Sequence, residues 1–255
     1  MLSVGVKPSR FSRARLLTTL LSPLVPCTAR LAVLAFLAPA FFGGWSALAC
    51  LSLVAVNLAL LFALGAVLDR FLPEREGSAF ILELPLYHLP NLRSLGLLVW
   101  NCTEAFLSKA ARVILLVALL IWFFSIVPRT GEGSLLAMIG TGLVPVGAWM
   151  GFGDWRLVTA LLTSFVAKEN TIATLGVLFG HQGGAGLASQ VASAISPAGA
   201  LAFLAVQMIF VPCAATVAVI RQEAGARWAI ASILLQLALS LAVGVLVYQI
   251  ATLVH

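Results

Sequence analysis

The chain has 255 residues, 62% of them hydrophobic and only 9% charged, with a formal net charge of +6. Soluble domains carry about 25% charged residues. The composition therefore excludes a water-soluble domain and reads as an all-α, polytopic membrane helix bundle. The Lys and Arg residues are scattered between apolar stretches, which fits loops on the inner side of a membrane and not a nucleic-acid surface.

Residues 1–15 form a basic leader, placed in the cytoplasm. Residues 16–42, LLTTLLSPLVPCTARLAVLAFLAPAFF, are long enough to span at about 20 residues per crossing, but Pro23 and Pro26 interrupt them. Residues 1–30 share features with a signal peptide, yet Pro26 suits no lipoprotein cleavage site and the Val-Pro-Cys pattern recurs near the other end. Gly43 and Gly44 make a turn, and 45–68 form a clean span, so 16–68 hold two spans. The segment 69–112 is a cytoplasmic loop followed by a helix on the membrane surface over 94–112. There Asn101, Glu104, Ser108 and Arg112 share one side, and Trp100 suits an interface. The last unit, 113–255, enters the bilayer over 113–127 and continues with a short segment at 134–150, broken by Gly140, Gly142, Pro145 and Gly147. Residues 155–180 carry a charged motif, HQGGAGLASQ from His181 is a flexible loop, and 197–220 and 228–252 are two further spans. Placing 1–15, 69–112 and 221–227 inside gives about seven crossings, an inner N-terminus and an outer C-terminus; a re-entrant 134–150 would reverse the latter.

The charged motif is LTSFVAKENTIATLG, residues 162–176. A charge at the bilayer centre costs about 2.5–3.5 kcal/mol on insertion scales, so intramembrane charges mark functional sites by default. At about 100° per residue, Thr159, Thr163, Asn170 and Thr174 cluster on one side, extended by Ser164, Lys168 and Thr171. Glu169 falls off that stripe. A break near Lys168–Asn170 would turn it inward, toward Arg30 or Lys168; a Lys168–Glu169 pair locking helices together is the plainer alternative.

One repeat stands out. VPCTARLAVL (25–34) and VPCAATVAVI (211–220) share Val, Pro, Cys, Ala, Ala and Val at equal spacing. In the topology above the copies run in opposite directions, the pattern of inverted-repeat transporters whose site lies near the midplane. Proline frees a carbonyl one turn back, and lipid tolerates a free carbonyl only where it is buried or lines a wet cavity. Cys27 and Cys213 thus sit beside backbone oxygen, and thiolate plus carbonyl suits a borderline-soft divalent ion. Cys50 and Cys102 read as packing residues, and His88 and His181 as solvated loop histidines. The sequence has no GxxxxGK[ST], no GxGxxG and no CxxC spacing. No nucleotide site and no enzyme are expected on this chain.

LLTTLLSPLVPCTARL, FILELPLYHLPNLR, LLTSFVAKENTIATLGVLFG and FVPCAATVAVIRQEAG resemble, in order, segments of the ferrous iron transport protein B (FeoB) family. The resemblance runs from about residue 14 to the C-terminus, covering the end of a first gate domain (16–68), a linker and a second gate domain of the nucleoside-recognition type. It implies Fe²⁺ as the transported ion, moving toward the cytoplasm of a bacterium through the inner membrane. Cys27 and Cys213 would be metal-path residues, with Arg30, Ser164, Lys168, Glu169, Asn170 and Thr216 along the path or gate. The family's GTP-binding domain and first membrane helices have no counterpart here. The resemblance therefore implies a separate GTP-binding chain and the missing helices as partners, GTP acting only through that chain, and no cofactor held by this one. A homo-oligomer is left open, as are two other functions: a permease for an organic solute, and a non-transporting scaffold. The second gate of the family continues FVAKE with small apolar residues, where this chain has Asn170 and Thr171.

Overall fold

The computed structural model describes residues 13–71, 91–126, 135–179 and 184–254. Most of the leader, most of the 69–93 loop with His88, and His181 lie outside the described residues. Among the described residues the regular structure is helical throughout, with no strand. The elements are α1 (Arg13–Leu21), α2 (Thr28–Phe42), α3 (Ser46–Phe71), α4 (Leu92–Ile126), α5 (Leu135–Trp149), α6 (Trp155–Thr163), α7 (Asn170–Leu178), α8 (Gly184–Ala194), α9 (Pro197–Ile209), α10 (Ala214–Ala224) and α11 (Ala226–Val254). Three stretches, Leu16–Arg70, Pro197–Ala224 and Ala226–Leu253, are long and apolar enough to cross a membrane.

The core is built on α9. Its sequence, PAGALAFLAVQMI, is apolar on every side, and a helix of that kind belongs in the middle of a bundle. From Ala202 to Ile209 every residue is buried. Helices α11, α2 and α3 pack around it. Phe203 meets Phe152 edge to face, with ring centroids 5.4 Å apart.

Three expectations need correction. The surface helix and the span after it are one continuous helix, α4, of 35 residues; no Gly or Pro between 97 and 126 breaks the backbone where polarity changes. The segment 134–150 is not broken: α5 runs through Pro145. Two of its glycines serve close packing, Gly140 against Thr159 of α6, and Gly147 against Val158 of α6 and the Phe152 backbone just before it. Residues 184–194 are helical and not a loop, because Leu187 and Val191, one turn apart, bury a common face of α8, which packs on α2.

These glycines give a paired test. A Cβ at Gly147 would lie 2.6 Å from the Phe152 carbonyl oxygen, an atom of the backbone that cannot swing aside. Gly147→Ala is therefore expected to cost about 1–3 kcal/mol. Gly142 meets nothing within 4 Å, so Gly142→Ala should be neutral or stabilising by up to about 1 kcal/mol through helix propensity. Thermal unfolding in detergent, followed by helical circular dichroism, checks both.

Candidate functional site

Three interruptions in helices meet in the bundle. The first separates α1 from α2: a short 3-10 turn, Ser22–Leu24, then extended residues ending at Cys27, which has N-cap geometry (φ −88°, ψ 162°) for α2. The second separates α9 from α10, and Cys213 (φ −63°, ψ 157°) holds the matching N-cap position of α10. Proline accounts for both. Pro26 and Pro212 lack the amide that would continue the helix, and each pushes the residue before it out of helical geometry. The helix then restarts at the next residue after the cysteine.

The half-helices cross-pack. α1, which precedes the first break, packs on α10, which follows the second; α9, which precedes the second, packs on α2, which follows the first. Two broken helices side by side make those contacts when they run antiparallel, so the repeat is inverted.

The third interruption lies between α6 and α7, at Ser164–Glu169. Here the chain folds back. The Thr163 and Thr174 hydroxyls are 2.8 Å apart, whereas eleven residues of unbroken helix would separate them by about 16 Å. The polar stripe expected on one continuous wheel is thus replaced by direct contact across a helical hairpin with Lys168 near its tip. The tip is tied to the second break, where the Ala214 amide donates to the Phe165 carbonyl at 2.8 Å.

Two buried cations join the breaks. Arg30, 3% exposed, stands one turn into α2. Its Nη1 donates to the Pro23 carbonyl at 2.7 Å and its Nη2 to the Phe210 carbonyl at 3.2 Å, linking one copy of the repeat to the other. Lys168, also 3% exposed, donates through Nζ to the carbonyls of Phe210 at 3.1 Å and Val211 at 2.8 Å, and lies 5.3 Å from the Phe210 ring centroid. The positive ends of α2 and α10 also begin at the two cysteines.

The remaining expected residues are placed unevenly. Thr216, the repeat counterpart of Arg30, has its Oγ1 3.1 Å from Cys213 Sγ. The Ser164 hydroxyl is spent on the Leu161 carbonyl at 2.6 Å. Asn170 is half-buried and opens α7. Glu169 is exposed and pairs with neither Arg30 nor Lys168, whose donors go to carbonyls instead. Cys213 is half-buried. Cys27 is exposed and lies on the wall of a groove of about 830 Å³ between α1 and α3, lined by Leu17, Leu21, Val25, Leu61 and Phe62. Among the described residues no group of three His, Cys, Asp or Glu gathers as a ligand set, and the groove that Cys27 lines does not include Cys213.

Three amides were missed. Asn57 of α3, 1% exposed, donates to the Leu24 carbonyl at 2.9 Å and leaves its own oxygen free. Gln207 of α9 donates to Thr171 Oγ1 at 2.7 Å, which in turn donates to the Lys168 carbonyl at 3.0 Å. Gln236 of α11 is fully buried with neither amide atom bonded. Each stands as an isolated amide in an apolar run, and that was the available signal.

Comparison with known proteins points the same way. Residues 50–101 match the family described as ferrous iron transport protein B C terminus, and residues 107–227 match the nucleoside recognition, or Gate, family. The Fe(2+) transporter FeoB of Methanocaldococcus jannaschii is 33% identical over 252 residues, covering 94% of this chain and 37% of that protein. The Fe(2+) transporter FeoB of Staphylococcus aureus is 30% identical over 244 residues, covering 93% and 37%. A fusion of Fe(2+) transport protein A with FeoB from Porphyromonas gingivalis is 30% identical over 295 residues, covering 94% and 35%. The chain thus spans little more than a third of the length of these relatives. No solved structure matches it.

Proposed function

Because this chain belongs to the FeoB family, as a C-terminal membrane part, we propose that it forms the membrane permease portion of a ferrous iron transporter. It crosses a bacterial inner membrane several times, and Fe²⁺ passes by way of Cys27 and Cys213 toward the cytoplasm. GTP hydrolysis and the family's remaining membrane helices are supplied from outside these 255 residues. The observation that carries this reading is the matched pair of Pro-Cys breaks, bridged by Arg30 from one copy to the Phe210 carbonyl of the other. Sulfur ligands suit a borderline-soft dication. A permease needs no catalytic group, and none is assigned here.

The match of 107–227 to a nucleoside-recognition family supplies a second reading, an organic solute. The two separate in cells stripped of their own ferrous transport and given the GTP-binding domain and missing helices of a relative. Adding this chain is expected to restore Fe²⁺ uptake and leave nucleoside uptake unchanged. Nucleoside uptake without iron uptake would favour the second reading, and neither would favour a scaffold.

A further inference from the structure

Among the described residues no carboxylate pairs with the buried Lys168 head. The adjacent Glu169 is exposed, and the Nζ donors go to two neutral carbonyls and one ring face. Those carbonyls belong to Phe210 and Val211, the residues just ahead of Pro212 and Cys213. Backbone carbonyls are the groups that replace water around a cation in a membrane path, and a lysine ammonium is a compact point charge of the same sign. It therefore occupies the oxygens a passing cation would use beside the Cys213 thiol.

The arrangement is also poised. The Phe210 oxygen accepts from Lys168 and Arg30 together, so two positive heads share one atom. Arg30 has a second anchor at Pro23 and a rigid fork. Lys168 has a flexible stem and stands at a hairpin tip, and it is the one free to leave.

We propose that Lys168 is a tethered cation that keeps the path shut, and that an entering metal ion displaces it from the Phe210 and Val211 carbonyls. Lys168 is thus a gating residue next to the metal ligands and not itself a ligand. The proposal rests on the metal path described above, and its test separates the two.

The chain is reconstituted together with the remaining membrane helices of a relative in liposomes enclosing a metal-sensitive dye, and Cd²⁺ is added outside as a thiol-seeking probe. Wild type and Lys168→Arg, which keeps charge and donors, are expected to admit Cd²⁺ slowly and at similar rates. Lys168→Met is expected to admit Cd²⁺ about ten-fold faster or more, since even one hydrogen bond from a charged donor can hold the shut arrangement by that factor. Adding Cys213→Ser should remove the gain. Removing a merely structural lysine would loosen the bundle and release the trapped dye as well as admit Cd²⁺, whereas an opened gate admits Cd²⁺ with the dye retained. If Lys168→Met fails to elute as wild type does, Lys168→Gln replaces it, with leakage again expected. Leakage no greater than wild type in a well-folded variant overturns the gate. A gain that persists with Cys213→Ser upholds the gate and overturns the cysteine path.

Discussion

Replacing Cys27 and Cys213 together by serine is expected to lower Fe²⁺ uptake about 10–100-fold, the scale on which even outer-shell changes alter metal affinity. Serine keeps the size of the side chain and removes the soft ligand. The fold should survive. Cys27 is exposed, and Cys213 is half-buried with a hydroxyl neighbour, Thr216, that bonds serine as readily as a thiol. Each single serine should act more weakly than the pair. Cys50→Ser is the control, since Cys50 is half-buried, packs against the core from α3 and lies at neither break. Uptake by cells supplying the partner chains, with membrane levels of each variant measured alongside, checks the set.

Arg30→Met is expected to cost about 3 kcal/mol or more of stability. Each hydrogen bond from a charged donor contributes about 1.5–3 kcal/mol, and this buried guanidinium makes two, to the carbonyls of Pro23 and Phe210. Its loss leaves the two copies of the repeat without their direct polar link. Arg30→Lys should not restore wild-type stability, because a single ammonium on a shorter reach cannot span two acceptors held by different helices. Thermal unfolding of the purified chain reads the effect. An Arg30→Met chain that melts with the wild type would show the bridge to be dispensable.

The breaks at both Val-Pro-Cys sites were legible because their cause is local: a missing amide and a restricted residue before it. The interruption near Lys168 was legible too, as charge set in an apolar run. Its consequence was not. A helical wheel presumes a straight axis, so it could place Thr163 and Thr174 on one side but could not show the chain turning back until their hydroxyls touch. The partners of Arg30 and Lys168 were hidden for a different reason. They are backbone oxygens, one of them 180 residues from Arg30, and side-chain chemistry read from a sequence points to Glu169 instead. Gly-rich HQGGAGLASQ reads as a loop because its own composition does not show the surface that Leu187 and Val191 of α8 cover. Asn57 and Gln207 are legible as lone amides in apolar runs, a weaker signal than a charge in the same setting.

The most direct measurement is iron K-edge X-ray absorption on the full chain in nanodiscs, loaded with Fe²⁺ under anaerobic conditions. The expected result is a shell that contains sulfur in the wild type and loses it in the Cys27→Ser, Cys213→Ser chain. Bound iron surrounded by oxygen and nitrogen alone in the wild type would contradict a path through the two cysteines.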